Sequence, residues 1–322
     1  MDNGAQRFSI AQLKAWEKMR YGMFLHFGMS TFTGEELPSG KEPSELYFPT
    51  DLDVAQWVRV AKNAGMNYAV LTTKHVSGHC LWNSAYTDYS VATSKNTTDV
   101  VGAFVSECRK QGILPGFYYC SWDNHTRFGS VTPSTFNAGT NAFTSAQYNE
   151  YQSNQIRELL TNYGEIAEVW IDIPLILGRS YRTQLYQEIA SLQPNAVIIM
   201  NHGISDGSDF HVRDAWPTDV ITIERTLPNS DLNFRKKVHT IEGNDYYIPF
   251  EVCDTIGKEW FYREDDVLRS DEELLGMYLV TTARGANFLL DVGPDLKGQI
   301  PKRYEEALLR LKANIDKINV CL

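Results

Sequence analysis

The chain has 322 residues, 43% of them apolar and 22% charged, a composition that rules out a disordered polymer and calls for a sizeable core. Thirty Lys and Arg against forty Asp and Glu give a formal charge of −10, and the longest basic run is Arg235-Lys236-Lys237, so composition argues against nucleic acid as a partner. No stretch reaches the ~18 apolar residues that cross a bilayer, and Met1 to Arg20 lacks a basic-then-apolar leader pattern. The sequence therefore argues against a membrane partner; the cytoplasm is the default expectation, and secretion or a periplasmic location would imply a leader already removed.

Short apolar runs rich in β-branched and aromatic residues alternate with helical patterns along the chain, as βαβ units of a parallel sheet do. Strands are expected from Tyr21 to Phe27, Tyr68 to Thr73, Ile113 to Tyr119, Ala167 to Asp172, Ala196 to Asn201, Val220 to Glu224, Phe250 to Thr255 and Asn287 to Val292. These are eight, the number of a (β/α)8 TIM-like barrel, and with no linker or internal repeat they predict a single domain over 1–322. Between them, Asp53 and Asp99 read as N-caps of helices that stop at Gly65 and Gly112. Further helices are expected from Ser145 to Tyr163, Arg182 to Leu192, Asp271 to Ala283 and Pro301 to Ile318, with none evident after the sixth strand. Gly129 to Ser145, dense in Ser, Thr, Asn and Gly, reads as a long loop on the functional side of the barrel. Cys80, Cys108, Cys120, Cys253 and Cys321 are far apart and form no Cys-x-x-Cys, the pattern of buried free thiols.

A parallel strand covered on both faces should be continuously apolar, so charges within one need a partner or a function. Asp172 ends one such run, Glu224 and Asp291 end two others, and Glu251 begins a fourth. Four carboxylates on strands suggest a paired acid/base site, without choosing the pair. His26 and Lys74-His75 close the first two strands, and Tyr118, Tyr119 and Trp122 lie around the end of the third. Imidazoles and phenols suit hydroxyl-rich ligands, and aromatic faces suit the apolar side of a sugar ring. His26, His75, His79 and His202 lack metal-ligand spacing, and glycine-rich phosphate loops are absent, so neither a metal nor a cofactor is implied.

These residues resemble the α-L-fucosidases of glycoside hydrolase family 29 in seven ordered segments between Trp16 and Ile318. They are Tyr21 to Gly28, Thr73-Lys74-His75 with Gly78 and Leu81-Trp82, Gly116 to Tyr119, Glu168 to Asp172, Phe250 to Cys253, Trp260 to Tyr262, and Gly285 to Pro294. The resemblance implies a retaining exo-glycosidase acting on a fucosylated oligosaccharide or glycoconjugate, with Asp172 as nucleophile and Glu224 as acid/base, Glu251 being the runner-up. It further implies His26, His75 and Glu45 on sugar hydroxyls, Tyr119 and Trp170 lining the pocket, and Phe24 and Trp260 against the methyl group. Val76 stands where a second histidine is common, Leu46 where tryptophan is usual, and Asn201-His202 where many members carry arginine, which leaves His202 as a substrate-binding candidate. The β-sandwich that commonly follows the family's barrel is not expected here, and the flank it would cover leaves homo-oligomer formation open. Two other readings stay in view: an exo-glycosidase for a related sugar such as α-L-galactose, and a non-catalytic fucose-binding protein.

Overall fold

Eight parallel strands make one sheet in the computed structural model, which describes residues 4–126, 144–230 and 234–321. In chain order the strands are β1 (Tyr21–Leu25), β2 (Tyr68–Lys74), β3 (Leu114–Cys120), β4 (Glu168–Asp172), β5 (Val197–Met200), β6 (Ile221–Glu224), β9 (Phe250–Thr255) and β10 (Ala286–Asp291); β7 (Val238–Ile241) and β8 (Asn244–Tyr247) pair as a separate hairpin. The sheet order is β5-β4-β3-β2-β1-β10-β9-β6, and a parallel bridge between Ile199 and Val220 joins its two edges into a barrel. Every residue of β1, β2, β5, β9 and β10 is buried, as expected where helices cover one face and the barrel interior the other. Six of the expected strands begin or end within one or two residues of those observed, because a turn residue brackets each apolar run. β9 coincides with its expected span and β5 is trimmed by one residue at each end.

The helices are α1 (Ile10–Glu17), α2 (Met29–Thr33), α3 (Val54–Asn63), α4 (Val100–Gln111), α5 (Ala146–Asn162), α6 (Arg179–Leu192), α7 (Val212–Ala215), α8 (Asp271–Ala283) and α9 (Lys302–Cys321). Asp53 and Asp99 cap α3 and α4 by accepting from the Gln56 and Gly102 amides, and Ser270 with Glu273 forms a capping box on α8. Each such cap stabilises its helix by about 1 kcal/mol. After β6 the place of a barrel helix is taken by a 3-10 turn and the β7–β8 hairpin, in line with the missing helical pattern there. The hairpin turns at Glu242 and Gly243, both left-handed at φ 52° and 82°, the backbone of a two-residue turn matched to strand twist. Most of the loop expected over Gly129 to Ser145 lies outside the described residues. Among the described residues β10 is followed by α9 alone, and no helix is long and apolar enough to cross a membrane. Cys80, Cys108, Cys120 and Cys253 are buried free thiols.

Candidate active site

Inward-facing positions near the C-terminal ends of the strands converge on one pocket. Its apolar wall is Phe24, Tyr118, Trp170, Cys253 and Trp260, and its polar groups are His26, Glu36, His75, Asp172, Asn201 and Glu224. Strand register sets their height: Phe24 pairs with Asp291, Cys120 with Asp172, and Glu224 with Cys253. Phe24 packs 5.3 Å from Trp170 and 6.3 Å from Trp260 between ring centroids, while Tyr118 stacks on Trp170 at 5.7 Å.

Asp172 accepts hydrogen bonds at both oxygens, from Tyr118 Oη at 2.6 Å and from Asn201 Nδ2 at 2.7 Å. The same Asn201 nitrogen donates to Glu224 Oε2 at 3.0 Å. One amide group therefore bridges the two carboxyls, and its two contacts hold Asp172 Oδ1 and Glu224 Oε2 no more than about 5.7 Å apart, short of the ~6.5–9.5 Å separation that leaves room for a water between the carboxyls. Asn201 is itself fixed, since its Oδ1 accepts from Thr222 Oγ1 at 2.7 Å and from the Gly203 amide at 2.8 Å.

Desolvation in the pocket, and after it the charge of Asp172, push the Glu224 carboxyl up to about 7, against the lowering effect of the Asn201 hydrogen bond. Glu224 thus carries a proton below neutral pH, the state in which a carboxyl can serve as a general acid. His26 Nδ1 meets Asp291 Oδ1 at 2.6 Å, a contact that fixes the ring orientation. Burial raises Asp291 to about 6, with His26 acting in the opposite direction. Burial, then the neighbouring His26 and Lys74, holds His75 well below the usual imidazole range, so it is neutral; its Nδ1 is buried without a hydrogen-bond partner.

The backbone is strained at both carboxylates. Among the described residues four non-glycine residues have positive φ, and two of them, Ile173 at 52° and Arg225 at 54°, directly follow Asp172 and Glu224. A β-branched residue in the left-handed region costs about 1–3 kcal/mol and persists only where the surroundings enforce it. Here those turns end β4 and β6 with the preceding carboxyls directed into the pocket.

Of the residues expected at the site, Phe24, His26, His75, Trp170, Asp172, Glu224 and Trp260 line the pocket. Four do not. Tyr119 is on the outer face of β3, donating to Gln155 Oε1 of α5 at 2.8 Å beneath the Lys74 ammonium, because successive strand residues point to opposite sides and Tyr118 takes the inner one. Glu45 lies exposed in a 3-10 turn, Ser44–Leu46, away from the lining. His202 turns aside after β5, its Nε2 accepting from the His211 amide at 2.9 Å. Glu251 lies fully buried inside the barrel, below the pocket. Glu36 was not singled out from sequence; it reaches the mouth from the loop between α2 and the 3-10 turn, and its position after Gly34 in a polar segment gives no periodic signal. Among the described residues no three His, Cys, Asp or Glu side chains are grouped as metal ligands.

A sequence profile described as Alpha-L-fucosidase matches residues 41–317. The chain is 33% identical over 308 residues to Alpha-L-fucosidase 1 of Arabidopsis thaliana, covering 91% of this chain and 57% of that protein. It is 31% identical over 306 residues to Putative alpha-L-fucosidase 1 of Oryza sativa, covering 91% and 55%. The chain thus spans a little over half the length of these curated relatives. Among solved structures, the unliganded α-L-fucosidase AlfC of Lactobacillus casei superposes with a TM-score of 0.74 at 26% identity, over 95% of this chain and 98% of that one. Isoenzyme 1 of Paenibacillus thiaminolyticus gives 0.74 at 26%, over 95% and 75%. With the profile covering most of the sequence and a relative one-third identical, the chain belongs to the α-L-fucosidase family of glycoside hydrolases, family 29.

Proposed function

We propose that the chain is a retaining exo-glycosidase that releases terminal α-L-fucose from fucosylated oligosaccharides or glycoconjugates. The observation that carries this reading is the Asn201 bridge, which keeps Asp172 and a Glu224 raised to about 7 within about 5.7 Å of one another. In the first step an Asp172 oxygen attacks the anomeric carbon, the bond to the leaving oxygen breaks, and Glu224 gives that oxygen its proton. In the second, the Glu224 carboxylate takes a proton from water as the water oxygen displaces Asp172, which returns fucose, a carboxylate at Asp172 and a protonated Glu224.

Recognition follows from the remaining groups. His75, neutral and with an unpartnered nitrogen, and His26, oriented by Asp291, suit sugar hydroxyls. Phe24 and Trp260 offer apolar surface where a 6-deoxy sugar has a methyl group, and a hydroxymethyl there would lose its hydrogen bonds. A relative 26% identical, the Lactobacillus casei enzyme, has been solved with an α-L-fucose product, which fits the same substrate class.

The test is release of nitrophenol from aryl α-L-fucoside, beside aryl α-L-galactoside and β-D-galactoside, for wild type and Asp172→Ala with and without azide. Fucoside-selective turnover, lost in the variant and returned as β-L-fucosyl azide, supports the reading. A folded wild type that binds fucose and turns over none of the glycosides contradicts it in favour of a binding protein.

A further inference from the structure

Two carboxyl groups inside the barrel take no part in the proposed chemistry, yet one of them touches the pocket wall from behind. Glu251 Oε1 accepts from Trp170 Nε1 at 3.1 Å and Oε2 accepts from Tyr68 Oη at 2.6 Å. Tyr68 can cross the interior because Gly22 faces it: a Cβ there would lie 2.5 Å from the phenol ring. Glu168 is the second carboxyl, fully buried at the start of β4 beside Glu251 and the Trp16 indole.

We propose that Glu251 is a positioning residue for the sugar pocket: it fixes the Trp170 indole from beneath, and through Trp170 the aromatic floor and the tyrosine that donates to Asp172. This rests on the glycosidase reading above. The path is short and continuous. Trp170, only 2% exposed, stacks on Tyr118 with ring planes 25° apart, and the Tyr118 hydroxyl donates to Asp172 Oδ2 at 2.6 Å. An indole N–H can only donate, so its orientation depends on an acceptor at that spot, and Glu251 is the acceptor present.

The two carboxyls divide their roles by their donors. Glu251 has both oxygens occupied by the Trp170 N–H and the Tyr68 O–H, whereas Glu168 has the Trp16 indole and Glu251 itself for neighbours, and two adjacent negative charges in this interior would repel without solvent to screen them. Burial, followed by the Glu251 charge, raises Glu168 well above the carboxylate range, so Glu168 holds the proton of the pair. Burial also raises Glu251, to about 7, but the hydrogen bonds from Tyr68, Trp170 and Glu168 oppose that rise and keep Glu251 the acceptor of the pair.

The experiment uses Glu251→Gln, Glu251→Met, Trp170→Phe and the Glu251→Met/Trp170→Phe double variant. Glutamine keeps an oxygen for the indole, while its NH2 meets a Tyr68 hydroxyl that can turn to accept; methionine keeps the volume and removes the acceptor. Expected on aryl α-L-fucoside is a kcat/KM within about threefold of wild type for Glu251→Gln, and a loss of about 10- to 100-fold for Glu251→Met that azide does not restore. The double variant should be no worse than Trp170→Phe alone. In parallel, indole 15N spectra of the seven tryptophans are recorded. The cross-peak that Trp170→Phe removes should shift in Glu251→Met and stay near its place in Glu251→Gln. Losses that add in the double variant, azide rescue of Glu251→Met, or an unmoved Trp170 cross-peak would each overturn the proposal. A wild type inactive on every glycoside would defeat the glycosidase reading alone, since the spectra still decide whether Glu251 holds Trp170.

Discussion

At the mouth of the barrel Asp172, Glu224 and Asp291 are the last residues of β4, β6 and β10, whereas in the layer beneath Glu168 is the first residue of β4 and Glu251 the second of β9. Both groups of carboxyls point inward, and their fates differ by depth along the strand. Those at the mouth meet an open pocket, an amide that bridges two of them, and a histidine; those beneath meet only aromatic donors and each other. Depth, more than strand membership, separates a carboxyl that can meet a substrate from one that holds the wall. The opposite end of the barrel adds a second contrast. A groove of about 720 Å³ there is larger than the pocket, but it is lined mostly by apolar residues such as Ile113, Pro115, Ile166 and Pro194, with no convergence of acid, base and hydroxyl partners.

The largest effect expected at the mouth is from Asp172→Ala, a loss of about 10⁴-fold in kcat on aryl α-L-fucoside with the fold retained by circular dichroism. Glu224→Gln should cost about 10²- to 10⁴-fold on substrates with poor leaving groups. Glu224 is protonated below about 7 and must be so to assist departure, so kcat/KM of the wild type should fall as pH rises through that value. That alkaline limb should vanish in Glu224→Gln, and its persistence would transfer the acid role elsewhere. Lys74→Met tests a buried charge pair beside the mouth: Lys74 Nζ and Asp123 Oδ2 lie 2.8 Å apart with both side chains fully buried. Leaving Asp123 unpaired should destabilise the fold by about 3–5 kcal/mol in urea titration. Asn201→Ala removes a hydrogen bond that lowers the Glu224 pKa, so its alkaline limb should move to higher pH, whereas a merely structural asparagine would leave the limb in place. The smallest effect is expected of Ile173→Gly, where relief of about 1 kcal/mol of backbone strain offsets lost packing, leaving the melting temperature near wild type while kcat falls.

Much of this was legible in the sequence because barrel strands are bracketed apolar runs, and a charge ending one is conspicuous. Asp172 and Glu224 were found in that way, with the family resemblance choosing them from four candidates. Depth was legible only in part: Glu251 begins its apolar run where the other three carboxylates end theirs, but only the folded barrel shows that this second residue of β9 lies within reach of Tyr68 and Trp170. Tyr119, which the resemblance implies in the pocket, faces outward in place of Tyr118, and a strand buried on both faces has no polar alternation to reveal which side is inward. Gly116 shares the parity of Tyr118, and its close approach to Glu168 across β4 marks the inner face once the strands are paired. Glu36 and Glu45 lie in one irregular segment, where only the tertiary path brings the first to the pocket and leaves the second in solvent. The β7–β8 hairpin replaced a barrel helix without an apolar run long enough to announce it; its turn pair Glu242-Gly243 was the available signal.

The stereochemistry of the sugar first released tests the central claim most directly. Proton NMR during early turnover of an aryl α-L-fucoside, before mutarotation, should show α-L-fucose accumulating ahead of the β anomer, as two displacements at carboxyls about 5.7 Å apart or less require. Initial appearance of β-L-fucose would mean a single displacement by water, and would contradict both the covalent role of Asp172 and the pairing that Asn201 enforces.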